Sequence, residues 1–121
     1  MNNSSPHRGE IWRAHLGEPA KPHWVVVVSH DARNQHPNIQ TILVVSFTNK
    51  LRAGPTTVIL DADETGLPNR SCLRGHFIQP LFKSRLVERT NKQLSDRRMR
   101  ELCLSIRRSF DPDAPAQNPT I

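Results

Sequence analysis

The chain alternates short apolar runs with loops rich in proline, glycine and polar residues. Residues 8–16 alternate with a period of two, which predicts a strand whose buried face carries Trp12, Ala14 and Leu16. Further apolar, largely β-branched runs predict strands over residues 24–29, 40–47, 56–60 and 71–78. A short strand or turn is expected over 82–87. Many short strands in a small chain predict a β-barrel, because closing a sheet removes its exposed edges.

The period of the pattern changes near the C-terminus. Apolar residues recur there at helical spacing, at Met99, Leu102, Cys103, Ile106 and Phe110. This spacing predicts a helix that is capped by Ser95 and packs its apolar face on the barrel. The expected fold is therefore mainly β, a small barrel with a C-terminal helix. Residues 1–7 and 111–121 are expected to be flexible, which leaves one domain over residues 8–110.

The positive charge of the chain is concentrated in one segment. The 121 residues carry 17 Lys and Arg against 11 Asp and Glu, a formal net charge of +6. Residues 83–108 contain nine basic and three acidic residues, so this segment alone accounts for that excess. A basic face attracts phosphate backbones through Coulomb steering and counterion release. The alternative is an ordinary solvated helix surface.

Several functional classes are disfavoured by the composition. No apolar run is long enough to cross a membrane, and Met1–Pro6 lack the apolar core of a signal peptide. We therefore expect a cytoplasmic protein without membrane association. The two cysteines, Cys72 and Cys103, form no CxxC motif and are expected to be buried or half-buried thiols. No histidine falls in a zinc-binding spacing, so we expect neither metal nor cofactor.

Arg74 and His76 are the most informative polar pair. They lie two residues apart on the predicted strand over 71–78, so both side chains leave one face, roughly 7 Å apart. RNA cleavage without a metal needs a base for the ribose 2′-hydroxyl, an acid for the departing 5′-oxygen and a cation for the phosphate. Histidine serves as base or acid near neutral pH, and arginine presents a fork of donors to phosphate. An ordinary solvent-facing sheet surface would show the same spacing.

Other residues are candidates for contacts with RNA. Thr48 ends the third predicted strand and His23 precedes the second, and both could bind a phosphate, although each residue type is also common at such structural positions. Arg33, Lys50 and Arg52 lie in predicted loops, where binding groups are frequent. A few aromatic residues could stack on bases, but most are expected in the core: Trp12, Trp24, Phe47, Phe77, Phe82 and Phe110.

In order along the chain, several short motifs resemble the MazF/PemK toxin family. They are Arg8-Gly9-Glu10-Ile11-Trp12, Lys21-Pro22-His23-Trp24-Val25-Val26-Val27-Val28-Ser29, Val45-Ser46-Phe47-Thr48, Thr65-Gly66-Leu67-Pro68, Ser71-Cys72-Leu73-Arg74 and Leu94-Ser95. The similarity extends over about residues 8–110. It implies an SH3-like barrel with a terminal helix, usually as a homodimer. It also implies metal-independent cleavage of single-stranded RNA at a short sequence, blocked by a cognate antitoxin protein.

The resemblance also implies roles for four residues. In PemK-like members an arginine and an acidic residue two positions later act as acid and base. Arg74 matches that arginine, whereas His76 stands in place of the acidic residue. The arginine that MazF-like members use is replaced by Lys21 if the adjacent proline is aligned, or by His23 if the valine run is aligned, and we favour His23. We expect His76 as base, with Arg74 as acid or charge stabiliser. Thr48, which matches the family threonine, and His23 are expected to position the phosphate.

Two other functions are compatible with the same sequence. A CcdB-like poison, which resembles this fold and binds DNA gyrase, would not need the pair of Arg74 and His76. A non-catalytic RNA-binding barrel would use the basic helix for affinity and would form no product. We favour the endoribonuclease toxin because it gives both residues of that pair a chemical role.

Overall fold

The computed structural model describes residues 5–117 of the chain. Its strands are β1 (Glu10–Leu16), β2 (Lys21–Val27), β3 (Thr41–Thr48), β4 (Thr57–Leu60), β5 (Ser71–Arg74), β6 (Gln79–Phe82) and β7 (Leu86–Gln93). Its α-helices are α1 (Asp31–Asn34), α2 (Ala62–Thr65) and α3 (Asp96–Arg108). Short 3₁₀ turns, Gly75–Phe77 and Lys83–Arg85, follow β5 and β6. The outer parts of the two segments expected to be flexible, residues 1–4 and 118–121, lie outside the described residues.

The strands form one antiparallel sheet in the order β4-β5-β3-β2-β1-β7, with β6 also paired to β3. One edge of β3 pairs with β2. Along the other edge, the first half of β3 pairs with β6 and the last two residues of β3 pair with β5. The prediction of a mainly β fold with a C-terminal helix is confirmed. The prediction that the sheet closes fully into a barrel is wrong, because no pairing among residues 5–117 joins the two edge strands, β4 and β7. The helix α3 packs against β4 and β5 and buries their apolar face in place of a closing strand.

Two apolar cores lie on opposite faces of the sheet, and the valine run of β2 contributes to both. Val26 joins the core that α3 covers, while Val25 and Val27 belong to the second core. The alternation of strand side chains explains why a continuous apolar run is needed here. Ala14 is fully buried in the second core, with Trp12 and Leu16 packed against it, so the predicted buried face of β1 is confirmed.

The helix α3 follows the predicted pattern except at its end. Ser95 caps it by accepting a hydrogen bond from the amide of Arg98 at 3.2 Å. Met99 and Leu102 are buried in the core, as expected. Phe110, however, is 73% exposed, because the helix ends at Arg108 and the chain turns before Phe110 can reach the sheet.

Both cysteines are free thiols, Cys72 buried and Cys103 half-buried, as the sequence predicts. No helix within residues 5–117 has the length and apolar character needed to cross a membrane.

Several arginines of the basic segment are paired with carboxylates. Arg98 forms ion pairs with Glu64 at 2.7 Å and with Glu101 at 2.8 Å, and Arg107 pairs with Asp111 at 3.1 Å. Several arginines of α3 are thus engaged within the fold. A free cationic face on this helix, which an RNA-binding barrel would need, is therefore not formed at these positions.

The pair of Glu64 and Arg98 yields a pH-dependent prediction. Hydrogen bonds from Arg98 hold the pKa of Glu64 below its usual value of 4.5, despite the opposing effect of burial. Glu64→Gln should lower the free energy of unfolding at neutral pH by about 1–2 kcal/mol, because it removes a charged acceptor from a partly shielded pair. The depressed pKa means that this contribution is present above about pH 4.5 and is lost as pH falls through the folded-state value.

Urea unfolding at pH 7 and near pH 3 measures this difference. Glu88→Gln is the matched control, since Glu88 is exposed on β7 and forms no ion pair with any described residue. A stability difference for Glu64→Gln that is equal at both pH values would contradict the ion-pair explanation.

Candidate functional site

The strand predicted over residues 71–78 ends at Arg74, and Gly75–Phe77 form a 3₁₀ turn instead. The prediction that Arg74 and His76 leave one strand face is therefore wrong. The turn lies directly against α3, where a Cβ atom at Gly75 would overlap the Ser105 side chain and lie 2.7 Å from the amide nitrogen of Ile106. The helix thus occupies the space into which a regular strand would continue.

The turn nevertheless brings Arg74 and His76 together around Phe77. The guanidinium carbon of Arg74 lies 4.2 Å from the centroid of the Phe77 ring, a cation–π distance. The imidazole of His76 lies on the same ring, with 4.8 Å between centroids. Phe77 is 49% exposed, so its expected place in the core is wrong. A cationic fork, an imidazole and an aromatic ring therefore form one exposed cluster, the Phe77 cluster.

Arg74 and His76 keep polar atoms without protein partners. Arg74 forms no ion pair with any carboxylate of residues 5–117, while its Nε atom is buried and has no hydrogen-bond partner there. His76 uses Nδ1 for a 2.8 Å hydrogen bond with Oγ1 of Thr56. Within the described part of the chain, its other nitrogen, Nε2, makes no hydrogen bond. An anion bound here would meet an arginine and a histidine with free donors or acceptors.

His23 and Thr48 lie together in a neighbouring cleft of about 360 Å³. The residues that line it come from β2, from the end of β3 and from the segment that leads into β5: His23, Trp24, Phe47, Thr48, Asn49, Leu67, Pro68, Asn69, Arg70 and Ser71. Thr48 Oγ1 accepts a hydrogen bond from the amide of Lys50 at 3.2 Å. This contact is the structural role typical of a threonine at a strand end, and it leaves the hydroxyl hydrogen free to donate.

The sheet register connects this cleft with the Phe77 cluster. Thr48 pairs with Cys72, so Arg74, two residues further along β5, points to the same face as Thr48. Such diagonal neighbours have Cβ atoms about 7–8 Å apart. The pairing of Val25 with Ser46, extended by two residues, places His23 on that face as well. One surface therefore carries His23, Thr48 and Arg74, with His76 in the turn that follows.

The remaining candidates divide into near and distant residues. Lys50 and Arg52 are exposed in the loop that begins directly after Thr48, beside the cleft. Arg33 instead donates a hydrogen bond to Thr41 at 2.6 Å, at the opposite end of β3. Thr41 lies seven positions before Thr48 along the strand, a distance of about 23 Å. Arg33 therefore lies away from Thr48 and the cleft, and its expected contact with the RNA backbone stays a prediction.

Sequence reasoning missed two members of the site, Thr56 and the exposed Phe77. Thr56 is 20 residues from His76, and no local motif links them. The signal that could have found Thr56 is the antiparallel pairing of neighbouring strands, which places Thr57 opposite Arg74. Among residues 5–117 no group of three or more His, Cys, Asp or Glu side chains is arranged to hold a metal ion.

Residues 7–110 match the family of PemK-like, MazF-like toxins of type II toxin–antitoxin systems. The chain belongs to this family. The match covers the region, about residues 8–110, over which the sequence motifs resemble MazF and PemK toxins. It confirms that resemblance, while the correspondence of His76 and His23 to residues of the family stays a prediction.

Solved structures of toxins share the fold. An endoribonuclease from a mycobacterial species, determined in complex with its cognate antitoxin, superposes with a TM-score of 0.76 at 22% identity, over 92% of this chain and 100% of that one. The Mycobacterium tuberculosis toxin MazF-mt6 superposes with a TM-score of 0.73 at 23% identity, over 86% of this chain and 98% of that one. At such identities the likeness shows the fold alone. No curated protein matches the chain at a significant level.

Proposed function

We propose that this PemK-like toxin is an endoribonuclease that cleaves single-stranded RNA at a short sequence without a metal. The observation that carries the proposal is the Phe77 cluster. There the guanidinium of Arg74, which forms no ion pair with a described carboxylate, and the imidazole of His76, whose Nε2 makes no hydrogen bond with a described residue, both contact the ring of Phe77. Family membership supports the same activity, and the structural relatives named as endoribonucleases share the fold that presents this cluster.

The chemistry assigns one proton transfer to His76. Its Nε2 accepts the proton of the ribose 2′-hydroxyl as that oxygen attacks phosphorus and forms the new O–P bond. The bond from phosphorus to the 5′-oxygen breaks, which leaves a 2′,3′-cyclic phosphate and a 5′-hydroxyl. Arg74 hydrogen-bonds the phosphate oxygens and stabilises the charge that develops on them. The departing 5′-oxygen takes its proton from Arg74 or from His23, which lie on the same face.

The neighbouring cleft supplies positioning. Thr48 donates its free hydroxyl hydrogen to a phosphate oxygen, and His23 contacts the same group from β2. Lys50 and Arg52, exposed beside the cleft, contact the RNA backbone through their charges. Arg33, beside Thr41, lies outside this cleft and takes no part in the proton transfers.

Two protein partners belong to the proposal. A cognate antitoxin would block the site, as the structural relative solved with its antitoxin illustrates. A homodimer is the expected state of the toxin, and exposed apolar residues such as Phe82, which is 59% exposed, offer area for either contact. A cytoplasmic location, where RNA and antitoxin are both present, remains a prediction.

Incubation with a long single-stranded RNA in excess EDTA tests the proposed activity. We expect discrete fragments from the wild-type protein, because none of the assigned steps needs a metal. Arg74→Ala should lower kcat by about 10²–10³-fold, since it removes a donor that stabilises transition-state charge. Arg33→Ala is the matched control and should cleave like wild type, because Arg33 lies at the far end of β3.

An RNA substrate that lacks the attacking 2′-hydroxyl tests the mechanism further. An RNA with a 2′-deoxyribose at the cleavage position should stay intact, because the attacking hydroxyl is absent. Intact RNA with wild-type protein, beside an active control nuclease, would refute the nuclease and favour the gyrase-type poison or the passive binder. Equal activity of Arg74→Ala and wild type would refute the assigned site.

A further inference from the structure

Thr56 lies in the turn that precedes β4, and its side chain contacts the assigned base. Its Oγ1 atom is 2.8 Å from Nδ1 of His76, a normal hydrogen-bond distance. We infer that Thr56 is a positioning residue, which fixes the imidazole of His76 so that Nε2 faces the scissile nucleotide. The inference rests on the proposed function, in which His76 takes the proton of the 2′-hydroxyl.

The hydroxyl of Thr56 suits both protonation states that the ring adopts during the reaction. A neutral imidazole that accepts a proton at Nε2 carries its own hydrogen on Nδ1. The imidazolium that results carries hydrogens on both nitrogens. In each state Oγ1 of Thr56 accepts a hydrogen bond from Nδ1 of His76. The ring can therefore keep one orientation while Nε2 gains and releases the proton.

The backbone around Thr56 is itself anchored. The carbonyl of Thr56 accepts a hydrogen bond from the amide of Gly75 at 2.8 Å, so this turn is tied to the turn that carries His76. The preceding carbonyl, that of Pro55, accepts a hydrogen bond from Arg108 at 3.1 Å. Arg108 also donates to the carbonyl of Pro115 at 2.6 Å. The end of α3 and the segment after it thus hold the Thr56 turn against the site.

His76 needs such support because it is exposed. An exposed side chain on a surface turn samples several staggered rotamers, and only some of them direct Nε2 towards a bound phosphate. Phe77 limits the ring on one side, with 4.8 Å between the ring centroids. The hydrogen bond to Thr56 fixes Nδ1. Together these two contacts define which nitrogen is presented to RNA.

Thr56→Val tests this role, because it removes the hydroxyl and keeps the branched shape. We expect kcat to fall by about 10–100-fold, the range in which a displaced catalytic group reduces rate. The Kd for an uncleavable 2′-deoxy-substituted RNA and the melting temperature should stay at their wild-type values. Thr56→Ser should restore kcat. Thr57→Val is the matched control with wild-type kcat, because the hydroxyl of Thr57 bonds only the carbonyl of Gly54, at 3.3 Å.

A double-mutant cycle separates positioning from a general structural effect. In a His76→Ala background, Thr56→Val should cause no further loss, because Thr56 acts through the imidazole. NMR couplings that report the χ1 angle of His76 give a readout independent of cleavage. They should show one rotamer in the wild type and averaging in Thr56→Val.

Three outcomes of the cleavage assays would overturn the inference. The first is wild-type kcat for Thr56→Val when cleavage still requires His76, which would leave the proposed function intact. The second is an equal further loss in the His76→Ala background, which would indicate a structural role. The third is wild-type cleavage by His76→Ala, which would refute the base assignment on which the inference rests. An unchanged His76 rotamer distribution in Thr56→Val would likewise refute the positioning role.

Discussion

His76→Ala should lower kcat for RNA cleavage by about 10²–10⁴-fold, the usual contribution of a general base. Removal of the imidazole leaves no other histidine in the Phe77 cluster to take the proton of the 2′-hydroxyl. Binding of an uncleavable RNA should change little, because Arg74 and Thr48 still contact the phosphate. Single-turnover cleavage rates measured beside RNA affinities separate these two effects.

His36→Ala is the matched control for the loss of a histidine. His36 is exposed in the loop that leads to the start of β3, and its Nδ1 accepts a hydrogen bond from the amide of Asn38 at 3.1 Å. This variant should cleave at the wild-type rate. His76→Asp should retain part of the activity, because the resemblance places an acidic residue at this position. Wild-type rates for His76→Ala would assign the base to another residue.

Gly75→Ala should destabilise the fold and disturb the site at once. The added methyl group would overlap Ser105 and lie 2.7 Å from the backbone of α3 at Ile106, and backbone cannot rotate away. Overpacking of this kind costs about 1–3 kcal/mol, occasionally more. The turn that carries His76 would have to shift away from the helix, so kcat should fall as well. Chemical unfolding and RNA cleavage measure the two effects on the same sample.

Gly54→Ala provides the matched control. A Cβ atom at Gly54 would lie 3.8 Å from Oγ1 of Thr57, an ordinary van der Waals contact, and this loop residue is exposed. Stability and cleavage close to wild type are therefore expected. If Gly75→Ala unfolds at the same denaturant concentration as Gly54→Ala, then the contact between the turn and α3 is looser than the structure shows.

Local sequence signals predicted most elements but placed several of their ends differently from the structure. The continuous run of β2 and the alternation of β1 located both strands, because side-chain period follows directly from backbone geometry. The strand over 71–78 was predicted four residues too long, since its apolar residues continue past Arg74 while α3 blocks the path. The edge strand β7 was recognised only in part, because most of its side chains are polar and exposed and carry little apolar periodicity.

The sequence predicted which residues form the candidate site better than it predicted how they are arranged in space. Arg74, His76, Thr48 and His23 were all named from the sequence, and the register brings three of them to one face. Their spatial relation was not predictable from spacing, since His76 lies in a turn and contacts Thr56 across 20 residues. Arg33 looked equivalent to Lys50 and Arg52 in sequence, because a loop cannot show to which end of a strand it folds.

The sequence by itself determined the class of fold, the cap and apolar face of α3, and the residues able to act on a phosphodiester. These follow from periodicity, capping chemistry and side-chain type, which are local properties. The tertiary structure alone decided that the sheet stays open, that α3 ends β5 at Arg74, and that Thr56 meets His76. Those outcomes depend on how segments distant in sequence pack together. The space open to a strand and the hydrogen-bond partner of a side chain are set by these distant segments, which a local sequence pattern does not include.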